Sequence, residues 1–223
     1  VPFATVLLKL GKEEADTMSY FILSETLMLA GVFLSAWIVW HLRGFSLEGL
    51  GRSLTMRWKD WLSGILLATV LYAVGFGISL WAGAVEIAGV AFNPSSLLIS
   101  LVFFLLVAVT EELALRGFVL ERLLQSGVNK FCALFLSAAL FSLIHIGNPN
   151  FDFLSFINIL LAGILLGSSY IYTRNLCFPI ALHWFWNWIQ GPVLGYEVSG
   201  NKFCDGLLTL HLPEANLING GAF

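Results

Sequence analysis

Six apolar runs, each close to the length of a membrane crossing, constrain this chain more than anything else in it. They fall at 18–42, 60–83, 97–115, 131–148, 153–173 and 177–195. A helix needs about 20 mostly apolar residues to traverse the hydrocarbon of a bilayer. The runs are apolar all round and lack period-2 alternation, which favours helices over the strands of a membrane barrel. Of the 223 residues, 58% are hydrophobic and only 11% charged. A water-soluble fold of this size needs a far more ionisable exterior. A soluble enzyme, a nucleic-acid binder and a disordered chain are excluded on that ground. The lipid bilayer is the expected partner, while the net charge of −3 is too small to indicate any other. The sequence sets no oligomeric state.

The expected fold is all-α, a polytopic transmembrane helical bundle of about six spans in one domain. Residues 1–17 read as an N-terminal segment, the stub of a lost span. Residues 18–195 form the membrane domain, with its core at 97–195, and residues 196–223 form an extracytoplasmic tail that reads as truncated. The 43–59 connection has room for a short surface helix. Orientation follows from the basic residues. With the first span starting outside, one face collects Arg43, Arg52, Arg57, Lys59, Arg116, Arg122, Lys130 and Arg174. The other face collects Lys9, Lys12 and Lys202, so the 43–59, 116–130 and 174 connections are predicted cytoplasmic. Trp58, Trp61, Trp81 and Trp188 lie near span ends, as interfacial aromatics do. Gly163 and Gly167 form a GxxxG pattern suited to close helix packing. Cys132, Cys177 and Cys204 make no CxxC or paired framework and read as incidental thiols.

Ionisable groups within hydrocarbon are costly, so each is a functional candidate. Glu111 and Glu112 are adjacent, and Arg116 follows Glu112 by four residues, on the same helical face. A Glu112–Arg116 pair leaves Glu111 about 100° round the helix, free to face something else. One paired and one unpaired carboxylate is how a structural acid is separated from a general base. Gly117, Phe118, Val119 and Leu120 follow Arg116, so the charges interrupt an apolar stretch and do not end it. His145 stands in the fourth run with Phe141 one turn before it. His183 and Asn187, four apart in the sixth run, point the same way and can act on one atom, as an oxyanion hole requires. Glu25, in the first run, is expected at a shallow position near the outer end of its span.

The motifs EELALR, FSLIH and HWFWN, in that order and each on its own apolar helix, resemble those of the CPBP superfamily of intramembrane proteases. Its best-known branch is the type II CAAX prenyl endopeptidase, Rce1-like, and its prokaryotic branch was formerly called Abi. The resemblance covers about 111–195 and extends more loosely into WNWIQGPVLGYEVSG and LINGGAF, which look like the bacterial branch. It implies that Glu111 activates the attacking water, that His145 orients or polarises it, and that His183 and Asn187 hold the oxyanion. Glu112 and Arg116 would support Glu111. The implied reaction is hydrolysis of a peptide bond in a membrane-associated or lipidated protein or peptide. The implied location is a multi-pass protein of the cell membrane, with its site nearer the cytoplasmic half.

No cofactor is favoured. Zinc is the alternative, with Glu111, His145 and His183 as ligands, but HExxH is absent and Asn187 is a poor fourth ligand. Neither GxSxG nor GxGD is present, which removes the serine and aspartyl intramembrane chemistries. The competing readings are an ion-coupled transporter with Glu111, Glu112 and His145 as a proton relay, and a non-catalytic membrane scaffold. Against the transporter stands the lack of an inverted repeat. One geometric tension remains in the linear reading. At ~1.5 Å per residue, Glu111 and His183 fall in the cytoplasmic half, whereas His145 falls nearer the outer face if its helix starts at Phe131.

Overall fold

The structure is a computed structural model that describes residues 17–43 and 55–213. Its helices begin where the sequence supplies caps. Helix α1 spans Thr17–Arg43 and α2 spans Trp58–Trp81. Helix α3 (Pro94–Glu112) starts with proline in its first turn, and the Asn93 side chain accepts from the Ser96 amide, satisfying a donor that the helix itself leaves open. A π-helical stretch, Leu113–Leu120, then leads into α4 (Glu121–Gln125). The whole of Pro94–Gln125 is one helical rod of 32 residues. Helix α5 (Lys130–Leu143) is capped by Asn129. Helix α6 (Phe153–Thr173) is capped by Asp152, which accepts from both the amide and the hydroxyl of Ser155. Those two donors hold the Asp152 carboxyl below the usual carboxylate range. Helix α7 (Cys177–Trp188) runs into a π-helical turn, Ile189–Val193.

The helical bundle matches the expected class. A two-stranded antiparallel ribbon, β1 (Glu86–Val90) with β2 (Leu208–His211), is a minor exception that carries an irregularity between Ile87 and Gly89. Among the described residues four helices are long and apolar enough to cross a membrane: Met18–Val39, Trp58–Trp81, Pro94–Gln125 and Phe153–Thr173. The other two runs need correction. The 131–148 run yields only the 14 residues of α5, ~21 Å at 1.5 Å per residue, against roughly 30 Å of hydrocarbon. Gly147 and Pro149 keep the helix from resuming through the rest of the run, because glycine weakens a helix interior and proline biases the residue before it away from the helical region. The 177–195 run yields 12 α-helical residues and a five-residue π turn. The third run, by contrast, does not end at 115. The proposed stub at 1–17, the surface helix in the 43–59 connection and the end of the tail from 214 onward lie wholly or largely outside the described residues.

Helix α7 packs between α2 and α3 and also touches α6. Small residues set these contacts. A Cβ on Gly64 of α2 would come within 2.7 Å of the Phe178 carbonyl on α7. A Cβ on Gly163 would come within 2.9 Å of Ala138, and one on Gly167 within 2.6 Å of Leu134. The GxxxG pattern therefore lies in the α5–α6 seam, a partner that the sequence did not specify. Trp184 Nε1 donates to the Leu101 carbonyl at 2.8 Å, and Trp188 Nε1 donates to that of Leu97 at 3.1 Å. These two indoles, one turn apart, tie α7 to α3, so Trp188 is internally partnered. Trp58 and Trp81 are exposed, as lipid-interface residues are. Residues 196–212 do not form a free tail. Phe203 packs against Phe21, Phe103 and Phe104, with ring centroids 4.9–5.5 Å apart, and Val198 is buried beside them.

Candidate active site

The site is built around the join between α3 and its π-helical continuation. Arg116 Nη1 donates to Glu112 Oε1 at 2.7 Å, and both side chains are fully buried. Arg116 Nη2 donates to the Gly163 carbonyl at 3.3 Å, and the guanidinium lies 4.5 Å from the centroid of the Phe141 ring. A buried ion pair persists only when further partners offset the loss of water; here a carbonyl and an aromatic face supply them. His183 Nδ1 lies 2.9 Å from the same Glu112 oxygen. Glu112 is thus committed to an arginine and a histidine. Glu111 points away from that pair, into a cavity, with its Oε2 at 3.8 Å from His183 Nε2. The two neighbouring glutamates divide as their spacing from Arg116 predicted.

His145 is not within a span. It sits in the turn after α5, 15 residues from Lys130, while the third helix runs on to Gln125, 14 residues past Glu111; at the helical rise the two residues therefore stand at a similar distance from the same end of the bundle, which resolves the tension in the linear reading. His145 Nδ1 lies 2.7 Å from the Phe141 carbonyl. That carbonyl can only accept, so Nδ1 carries the proton and the Nε2 lone pair is left to accept one. The Phe141 ring meets His145 edge to face at 5.1 Å and His183 at 5.9 Å. The phenylalanine of FSLIH therefore has two tasks: its carbonyl fixes a tautomer, and its ring meets Arg116 and both histidines. Glu25 also needs correction. It is 1% exposed and within electrostatic reach of Glu111, so it is a buried neighbour of the site and not a shallow residue. Phe21, one turn earlier, packs against Phe103, which sets Glu25 level with Val107, one turn before Glu111.

A cavity of about 1420 Å³ begins at Glu111, His145 and His183. Asn187 lines it one turn beyond His183. Sequence reasoning passed over several of its other polar walls. Tyr72 Oη donates to Gln190 Oε1 at 2.7 Å, and Gln190 Nε2 donates to the Glu197 carbonyl at 2.6 Å. Asn150 Nδ2 donates to the Glu197 carboxylate at 3.2 Å. Gln190 falls on the helical face of Asn187, three residues on, and that spacing was a usable signal. Tyr72 had none, because α2 carries no ionisable residue near it. Among the described residues, no group of three or more His, Cys, Asp or Glu side chains is placed to hold a metal ion. Glu111, His145 and His183 share a cavity without forming such a set.

The arrangement offers a carboxylate open to the cavity, an imidazole acceptor beside it, and a second imidazole held by a buried carboxylate. A family model described as type II CAAX prenyl endopeptidase, Rce1-like, matches residues 93–189. The match runs from the cap of α3 to the residue after α7 and contains all six of Glu111, Glu112, Arg116, His145, His183 and Asn187. Comparison with curated proteins and with solved structures gives no match.

Proposed function

We propose, on the match of residues 93–189 to the Rce1-like type II CAAX prenyl endopeptidase model, that this multi-pass membrane protein is a peptidase that works by carboxylate-activated water. A water molecule sits between Glu111 and His145 Nε2. Glu111 takes its proton as the oxygen attacks the scissile carbonyl carbon. The resulting oxyanion is met by His183 Nε2–H and the Asn187 side-chain amide. Glu111 then passes the proton to the amine nitrogen as the C–N bond breaks. Glu112 holds His183 through Nδ1, orienting the ring and stabilising its protonated form, while Arg116 balances the charge of Glu112. General-base action of this kind contributes roughly 10²–10⁴-fold, and an oxyanion donor contributes about 10²–10³-fold. No metal enters this scheme.

The observation that supports the reading best is the split between the two glutamates. A buried Glu112–Arg116–His183 assembly would be an expensive way to hold helices together, but it is what a preorganised polar site needs. The cavity adds to this. Small-molecule pockets run to ~1,000 Å³, and 1420 Å³ gives room for a stretch of polypeptide. The substrate class is a membrane-associated protein or peptide. The test compares membrane and secreted peptides by mass spectrometry in cells carrying the native chain or Glu111→Gln. The reading expects peptides whose new termini disappear in the variant. Identical peptide sets at equal protein levels would overturn it.

A further inference from the structure

Glu25 has no task in the hydrolysis, yet α1 buries it next to the residues that do. Its neighbours along one face of α1 fix what it meets. Phe21, one turn before it, lies against Phe103 with ring centroids 6.1 Å apart. Leu29 and Val32, one and two turns after it, pack against the cluster that holds Ala108 and Leu113. Helices α1 and α3 therefore run side by side in the same direction, and Glu25 falls level with the stretch from Val107 to Glu111. Met28 and Val32 also line the cavity that begins at Glu111. Glu25 itself is 1% exposed and within electrostatic reach of Glu111.

No cation among the described residues comes with it. The ion pairs of this region join Arg116 to Glu112, and His183 to Glu111 and Glu112. The hydroxyls close by are spent as well. Those of Ser24, Thr26 and Thr110 donate to the carbonyls of Phe21, Ile22 and Leu106, each within its own helix. Glu25 Oε2 is buried without a hydrogen-bond partner among the described residues. A buried carboxylate needs a cation or several donors to offset the loss of water. Glu112 has an arginine and a histidine for this purpose; Glu25 has neither. Two charged carboxylates in one dry site also repel each other. Of the two, Glu111 faces the cavity and His183, so the charge belongs on Glu111 and a proton on Glu25.

A neutral carboxylic acid keeps one strong donor, its O–H. Such a donor is most effective toward a carboxylate, because a charged acceptor makes the bond roughly twice as strong. We infer that Glu25 is a positioning residue for Glu111: it stands beside the base as an uncharged acid, and its O–H, directly or across one water, holds the Glu111 carboxylate toward the cavity. Glu25 touches no substrate and gives up no proton in the reaction. It limits the pair to a single negative charge and steadies the group that carries it. The positioning half of this inference rests on the peptidase reading; the uncharged acid does not.

The test compares the purified full-length native chain with Glu25→Gln and Glu25→Leu. Glutamine keeps the shape and a donor, whereas leucine keeps the bulk and loses the donor. The substrate is a peptide recovered from the comparison of native and Glu111→Gln cells. Glu25→Leu is expected to lower kcat by about 10- to 100-fold, the loss of one hydrogen bond to a charged group. KM should stay the same and the melting temperature should not fall, since leucine relieves a buried polar group. Glu25→Gln is expected to restore most of the lost kcat. Native kcat in Glu25→Leu, or an equal loss in both variants, would overturn the inference. Infrared spectroscopy of the native chain and Glu25→Gln needs neither a substrate nor the leucine variant. At neutral pH the native chain should show the carbonyl stretch of a protonated carboxylic acid that Glu25→Gln lacks. Identical spectra in that region would mean that Glu25 is ionised, and the inference falls. The band without any peptide hydrolysis by the native chain would uphold the uncharged acid and count against the peptidase reading alone.

Discussion

Toward the basic connections, helices meet at contact distance through Gly64, Gly163 and Gly167, whereas toward the opposite face α2 and α6 stand on either side of a cavity roofed by residues 195–212. Glu111 and Glu112 straddle the boundary between these halves. Glu112 belongs to the packed half, where Arg116, Gly163 and Phe141 surround its ion pair. Glu111 belongs to the hollow half, where polar groups face space that a substrate can fill. On the proposed mechanism, the same residue type one position apart is structural in one half and chemical in the other. What separates them is the 100° turn between successive helical residues and the single cation four positions on.

That contrast can be broken at several points. The largest effect expected in the packed half follows Arg116→Met, which leaves the Glu112 carboxylate buried without its counter-ion. Breaking a buried pair costs about 3–5 kcal/mol, and thermal unfolding in detergent should show it as a clear fall in melting temperature. An unchanged melting temperature would mean that the pair carries no structural load. Asn187→Ala tests the hollow half. It should lower kcat by about 10²–10³-fold, as loss of an oxyanion donor does, with the melting temperature unmoved. A loss of stability with full activity would place Asn187 in the scaffold instead. Gly163→Val is expected to be milder, about 1–3 kcal/mol by overpacking against Ala138. It should also reduce activity, because the seam it widens is the one that brings the Gly163 carbonyl to Arg116. Stability lost with activity fully retained would uncouple the seam from the site.

The parts of this site that were legible in the sequence are those set by spacing along one helix. Glu112 with Arg116, and His183 with Asn187, lie four residues apart, and helical geometry fixes what such pairs can do together. The caps at Asn93, Asn129 and Asp152 are likewise local. His145 was recognised as a candidate but misplaced, because an apolar run does not say where a helix stops; Gly147 and Pro149 carried that information. Glu25 was misjudged because its burial depends on which residue of α1 faces α3, a tertiary choice that a uniformly apolar helix does not advertise. The return of residues 196–212 rests on pairing of β2 with a strand more than a hundred residues earlier and on Phe203 entering an aromatic cluster. Neither leaves a local pattern. The cavity is a shape between helices, and only its polar exceptions were visible.

The most direct test of the division between the two glutamates sets Glu111→Gln beside Glu112→Gln in the purified full-length protein, measuring peptide hydrolysis and melting temperature together. The account predicts that Glu111→Gln keeps the native melting temperature and loses hydrolysis by roughly 10²–10⁴-fold or more, while Glu112→Gln lowers both. Hydrolysis retained by Glu111→Gln would contradict it.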